Sequence, residues 1–108
     1  MTPDAAERKH LPLYRGLLRY FPDALCEVAL CSLVGNAQHN AGEPLHWARE
    51  KSTDQLDAAV RHIVEAGKRD GDGVRHMAKA AWRCLAELQL EIERDSGPAV
   101  HRAKGAKS

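Results

Sequence analysis

Asp54, Asp57 and Arg61 recur at i, i+3 and i+7, which at about 100° per residue puts them on one stripe of a helix. Two carboxylates one turn apart can share a hard divalent cation, and Mg²⁺ is usually held by one or two carboxylates together with substrate phosphates. The same spacing also serves a wet helix face: Asp54 complements the helix N-terminus, and Asp57 pairs with Arg61 at i+4. Glu27 is the third acidic candidate. Within residues 23–34 only Asp23, Glu27 and Ser32 are not apolar, so this helix is expected to be buried on most sides. A carboxylate in its middle must then be paired, protonated or bound to metal. A buried salt bridge to an Arg such as Arg61 or Arg83, or a narrow solvated edge, is the plain alternative.

A second constellation is basic. Asp72, His76, Lys79 and Arg83 share one side of a helical stretch, roughly opposite its Val74/Ala81/Leu85/Leu88 face. Such a stripe is commonly solvated. Here Ala80, Ala86 and Leu90 flank it, so a partly covered His-Lys-Arg row facing a cavity would suit a phosphate chain. His62 and Asp70 lie near its start and can join it. The third constellation is residues 35–52, wedged between two apolar segments. A connection that long is commonly a binding loop or disorder, since most connections in compact domains run to about 4–6 residues. Asn36, His39, Asn40, His46, Trp47 and Lys51, with the turn at Pro44, offer hydrogen bonds and a stacking surface, as expected of a small-molecule pocket wall.

These side chains need scaffolding, and the apolar spacing supplies it. Leu11, Leu13, Leu17 and Leu18, with Tyr14 and Tyr20, predict a short amphipathic first helix ended by Phe21-Pro22. Pro22 suits the first turn of a second helix over residues 23–34, closed by Gly35. Ser52-Thr53-Asp54-Gln55 reads as a capping box opening a third helix, whose face is Leu56, Ala59, Val60 and Ile63 and whose end is near Ala66-Gly67. A charged turn over residues 68–73 leads into a fourth, longer helix over residues 72–94. No alternating pattern competes. The expected fold is all-α: a small bundle of three longer helices plus one short N-terminal helix, completed by oligomerisation. The domain is read as residues 11–96, with residues 1–10 and 97–108 as flexible tails.

Composition bounds the chemistry. In 108 residues, 16 Lys and Arg stand against 15 Asp and Glu, a formal charge of +1, whereas general nucleic-acid binders carry a strong positive excess. A compact polar ligand is expected, and no nucleic acid duplex. Cys26, Cys31 and Cys84 are odd in number and show no metal spacing, so they read as buried thiols. The first residues lack the apolar core of a signal peptide and no run approaches a membrane span, so no membrane partner and a cytoplasmic location are expected. P-loop, HExxH, GxSxG and CxxC signatures are missing.

The residues together resemble a known family. Pro12-Leu13-Tyr14-Arg15-Gly16, Tyr20-Phe21-Pro22-Asp23-Ala24-Leu25, Gly35-Asn36-Ala37-Gln38-His39-Asn40, Gly42-Glu43-Pro44-Leu45-His46-Trp47-Ala48-Arg49 and Lys51-Ser52-Thr53-Asp54 begin the likeness. Arg61-His62, Asp70-Gly71-Asp72-Gly73-Val74-Arg75-His76 and Ala78-Lys79-Ala80-Ala81-Trp82-Arg83 complete it. In order and spacing they resemble the phage and bacterial dATP/dGTP diphosphohydrolase N-terminal domain family over residues 11–95. The resemblance implies a small deoxynucleotide-handling protein, often phage-encoded, related to the MazG-like all-α pyrophosphohydrolases. Those relatives carry a Glu-Glu-x-x-Glu helix and a Glu-x-x-Asp helix around Mg²⁺. Asp54-x-x-Asp57 stands in place of the second motif. Of the first, Glu27 can stand for one glutamate, while Cys26 and Leu30 occupy other places.

The resemblance thus implies a hydrolase that cleaves dGTP or dATP to the monophosphate and pyrophosphate with Mg²⁺ or Mn²⁺. Glu27, Asp54 and Asp57 would be its metal-holding and catalytic residues, and Arg61, His62, His76, Lys79 and Arg83 its phosphate clamp. Asn36, His39, Asn40, His46, Trp47 and Lys51 would form its nucleotide wall, with Trp47 stacking on the base. The depleted first motif keeps a second expectation beside it. A non-catalytic phage-type protein would bind or sequester a nucleotide or a nucleotide-derived immune signal with the same basic and aromatic residues.

Overall fold

The computed structural model describes residues 4–96; the expected C-terminal tail at 97–108 lies outside the described residues. The fold is all-α. Helix α1 (Ala5–His10), a π-helical turn (Tyr14–Leu18), α2 (Pro22–His39), a 3-10 turn (Arg49–Lys51), α3 (Gln55–Val64) and α4 (His76–Ser96) follow in order. An isolated bridge joins Arg69 and Arg75, and no strand occurs among the described residues. Two compact units divide the described residues: residues 21–86, and residues 4–20 with 87–96.

In the terminal unit, the polar N-terminal segment carries a helix of its own. Asp4 accepts from the Glu7 backbone N–H at 2.9 Å, and the Glu7 carboxylate accepts from the Asp4 N–H at 3.0 Å. This reciprocal capping box satisfies two donors that a helix start otherwise leaves unpaired. Residues 11–20 do not form the regular α-helix expected from their leucines. A wide turn forms instead, with the Arg19 N–H on the Tyr14 carbonyl at 2.9 Å. Gly16 makes room for it: a Cβ there would meet the Pro12 ring at 3.1 Å.

In the unit of residues 21–86, α2 starts with Pro22 in its first turn, as expected, but continues through Gly35 to His39. Gly35 keeps helical backbone; among the described residues the glycines with positive φ are Gly42, Gly67 and Gly73. Helix continuation wins here because the Asn36 carbonyl receives the Asn40 N–H at 2.8 Å, and the Asn36 side chain ties down the chain that follows. The long loop therefore begins at Asn40. Asp54, not Ser52, is the N-cap of α3: the Ser52 hydroxyl donates to Asp54 Oδ1 at 3.1 Å, and Gln55 Nε2 reaches the Ser52 carbonyl at 3.3 Å. Gly67, at φ +92°, turns the chain after α3 as its position suggested. Before α4 the backbone closes into a turn: Asp70 N–H to Val74 O at 2.8 Å, Gly73 N–H to Asp70 O at 2.9 Å, and His76 N–H to Lys68 O at 3.0 Å. These bonds use groups that a helix from residue 72 would have needed, so α4 begins at His76.

The buried apolar set is small: Ala58, Ala59, Val74, Ala78, Ala80 and Ala86. This overturns the expected face of α3. Ala59 is inside, with Gln55 and Ala58, while Leu56, Val60 and Ile63 are 57%, 58% and 48% exposed. On α4, Met77, Leu85 and Leu88 are likewise exposed, whereas Lys79, Trp82 and Arg83 are half-buried. Alanines and polar side chains line the inner surface, and the larger aliphatic ones point to solvent. Helix α2 buries no residue fully, contrary to its composition. Cys26 and Cys84 are exposed and Cys31 half-buried, so the expectation of three buried thiols fails with that of a buried helix.

Candidate functional site

A cavity of about 620 Å³ lies within the unit of residues 21–86. Helix α2 contributes Cys31, Ser32, Asn36, Gln38 and His39; the loop contributes Asn40, His46, Trp47 and Lys51; α3 contributes Gln55 and His62; and α4 contributes Lys79, Trp82 and Arg83. Ser52 and Asp72 also line it. Such a volume falls within the usual range for small-molecule sites.

The loop owes its shape to Asn36. Its Oδ1 accepts from Asn40 Nδ2 at 3.1 Å and from the His46 backbone N–H at 3.4 Å, while its Nδ2 donates to the Glu43 carbonyl at 3.1 Å. Asn40 is buried and accepts from Lys51 Nζ at 3.4 Å. The two amides thus hold the wall. Trp47, the half-buried face of that wall, meets Trp82 edge to face at 5.6 Å between centroids, and the Arg49 guanidinium lies 4.4 Å from its ring. Trp82 in turn donates from its indole N–H to the Ser32 hydroxyl at 2.8 Å. T-shaped pairing with a satisfied indole N–H fixes both rings where one side remains wet.

Two cations in the cavity have neutral partners. Arg83 donates to the Ser52 hydroxyl at 2.7 Å and to Gln55 Oε1 at 3.0 Å, and Lys51 donates only to Asn40 among its described contacts. Neither is neutralised by a carboxylate among the described residues. Lys79 differs. Its ammonium sits 2.7 Å from Asp70 Oδ2 and 2.7 Å from Asp72 Oδ2. Burial pulls the Lys79 pKa down, but the hydrogen bonds to Asp70 and Asp72 outweigh it and hold the group above the ordinary lysine value. The Lys79 hydrogen bond lowers Asp70, and it lowers Asp72 to about 2 against some desolvation, with further help from the Val74 N–H and Gln38. Cys31, on the same wall, is pushed up by burial more than Lys79 and Arg83 pull it down.

At the cavity edge, His62 Nδ1 lies 2.9 Å from His76 Nδ1, the rings tilted by 35°. Burial first, and then the neighbouring His76, lower the His62 pKa. His62, Asp70 and His76 each offer a ligand atom within 4.8 Å of the other two.

The structure thus brings Asn36, His39, Asn40, His46, Trp47, Lys51, His62, Lys79 and Arg83 to one cavity. His76 joins through His62. Arg61 is elsewhere: it pairs with Asp54 at 3.2 Å, both exposed, and that hydrogen bond, with one from Ser52, lowers the Asp54 pKa. Asp57 is exposed on α3, and Glu27 lies 3.8 Å from Arg75 Nε, its Oε1 buried without a hydrogen bond. Arg75, rather than Arg61 or Arg83, is its ion-pair partner. Glu27, Asp54 and Asp57 are not among the cavity's lining residues and do not gather into a three-ligand group. Sequence reasoning missed Trp82, Ser52 and Gln55 as wall residues. The signal for Trp82 was its place between Lys79 and Arg83 on one helix; Gln55 showed only as a capping residue.

Fold and cavity together define a small all-α protein with a polar, aromatic-walled cavity. The chain belongs to the dATP/dGTP diphosphohydrolase N-terminal family, whose family model matches residues 3–98. No curated protein and no solved structure matches it. No helix among the described residues is long and apolar enough to cross a membrane.

Proposed function

We propose that the chain hydrolyses a purine deoxynucleoside triphosphate, dGTP or dATP, between the α- and β-phosphates, with Mg²⁺ or Mn²⁺ as cofactor. The observation that carries this reading is the meeting of an aromatic wall, Trp47 and Trp82, with Arg83 and Lys51, the cations without carboxylate partners, in one cavity. Family membership supports it. A base stacks on Trp47 in place of the Arg49 guanidinium that lies 4.4 Å from its ring, and the phosphates accept from Arg83, whose planar fork suits phosphate oxygens. A divalent cation would neutralise phosphate charge and make bound water a better nucleophile. Glu27 pairs with Arg75, Asp54 pairs with Arg61 and Asp57 is exposed, an arrangement that does not fit a shared ion, so no step is routed through them. The reading includes a homo-oligomer, in which a second copy covers the Leu56/Val60/Ile63 face.

The separation of those carboxylates favours a second reading, in which the pocket holds a nucleotide without cleaving it. One experiment divides the two. Purified chain is incubated with a nucleotide panel plus Mg²⁺ or Mn²⁺, then with chelator, and products are separated by chromatography. Monophosphate and pyrophosphate that disappear with chelator support hydrolysis. Intact nucleotide recovered after denaturation, bound equally with and without metal, supports sequestration.

A further inference from the structure

We propose that His62, Asp70 and His76 form a binding site for a divalent first-row transition metal that prefers octahedral coordination, Mn²⁺ or Co²⁺ being the type. The ligands come from three segments. His62 lies in the last turns of α3, Asp70 in the turn before α4, and His76 at the first position of α4. The backbone bonds of Asp70, Gly73 and His76 close that turn, and Gly73 at φ +85° supplies a conformation that a side chain would strain. Asp70 and His76 are therefore fixed relative to each other before any ion arrives, which is what a metal site requires of its scaffold.

Distances point to the class of ion. With metal–nitrogen bonds of about 2.1 Å, two ligands at cis octahedral positions are about 3.0 Å apart and two tetrahedral ligands about 3.4 Å. The His62 and His76 Nδ1 atoms are 2.9 Å apart, the length also of an N–H···N hydrogen bond from one ring to the other. Two imidazole lone pairs at that distance repel unless a proton or a cation lies between them. Two histidines and a carboxylate are the facial set that leaves coordination positions open, and imidazole favours transition ions over Mg²⁺.

Charge agrees with geometry. Asp70 and Asp72 share the Lys79 ammonium, so two carboxylates meet one ammonium beside the two imidazoles. Asp72 can keep Lys79 when Asp70 turns to a dication. His62 also lines the cavity, so an ion held by these residues would sit beside it. The metal site stands whether or not the chain cleaves nucleotides.

The test needs no substrate. Chain stripped with chelator and dialysed is titrated with Co²⁺, read by visible absorption, and with Mn²⁺, read by electron paramagnetic resonance of the free ion. About one ion per chain is expected, with Mg²⁺ competing poorly. His76→Gln, His62→Gln and Asp70→Asn should each weaken binding by at least about 10-fold, while His10→Gln should not, circular dichroism confirming retained helix. A variant that fails to fold is replaced by a measurement on the unmodified chain: bound Co²⁺ should protect His62 and His76 from diethyl pyrocarbonate, located by mass spectrometry. No binding at millimolar Mn²⁺ and Co²⁺, undiminished binding in the folded variants, or unprotected His62 and His76 would each overturn the site.

Discussion

Replacing Arg83 with methionine removes the charge but keeps much of the side-chain length, and so tests the pocket's principal cation. In the free protein Arg83 supplies a hydrogen bond of 3.0 Å to Gln55 Oε1, and Gln55 is only 2% exposed. Removing it leaves a buried acceptor unpaired, which costs about 1–3 kcal/mol. For a domain of this size each kcal/mol moves Tm by about 4–8 °C, so the midpoint should fall by roughly 5–20 °C. Binding suffers separately. A charge-assisted hydrogen bond to phosphate contributes about 1.5–3 kcal/mol, so affinity for a deoxynucleoside triphosphate should drop by about 10- to 150-fold. Arg83→Lys keeps the charge and loses the fork, and should fall between the two. Differential scanning fluorimetry reads the first effect and isothermal titration calorimetry the second. Wild-type affinity in Arg83→Met, at a temperature where it is folded, would refute the assignment of Arg83 to the anion.

Acid should loosen the turn before α4 in a defined window. Asp72 titrates at about 2 in the folded chain against about 3.9 when unfolded, so its stabilising effect is complete above about 3.9 and is lost as pH falls toward 2. Asp72→Asn should flatten the stability curve there, and an unchanged acid limb in a pH-resolved urea series would contradict the assignment. His62, whose folded pKa is lowered, should make stability decline as pH drops below about 6.5, the unfolded histidine value; His62→Gln should remove that decline. Trp47→Ala should weaken nucleotide binding, and in a Trp82→Phe background the remaining Trp47 emission should respond to ligand; silence on both counts would exclude Trp47 from the site. Val60→Asp should reduce the mass measured by light scattering to that of one chain, and an unchanged mass would show that α3's outer face contacts no second copy.

The fold class and the three long helices were legible because apolar residues recur at helical spacing, but periodicity finds a face without saying what covers it. In α3 the large side chains Leu56, Val60 and Ile63 form the obvious apolar stripe, and hydrophobicity alone would turn it inward. The inner face is instead Gln55, Ala58 and Ala59, small or polar groups of which Gln55 lines the cavity. The site was half legible for a related reason. Lys79 and Arg83 were visible as a basic row on one helix, but their different electrostatic states depend on the turn that returns Asp70 and Asp72 to Lys79, and on Ser52 and Gln55 reaching Arg83 across more than two dozen positions of sequence.

That difference divides the pocket's labour. Lys79 lies between Asp70 and Asp72, so it cannot act as a free phosphate clamp without surrendering an ion pair; Arg83, held by a hydroxyl and an amide oxygen, can turn to an anion while losing only neutral partners. The carboxylate surplus around Lys79 repels a bare polyphosphate and attracts a cation, while the Arg83 and Lys51 side attracts the anion. A polyphosphate carrying a divalent ion complements both ends at once, whereas a metal-free nucleotide complements only one. Nucleotide affinity should therefore rise when Mn²⁺ is added. Asp70→Asn should reduce that increment and, by removing one of the two repelling carboxylates, raise metal-free affinity; equal affinities with and without Mn²⁺ in the unmodified chain, measured by calorimetry, would show that the two ends of the pocket do not act on one ligand.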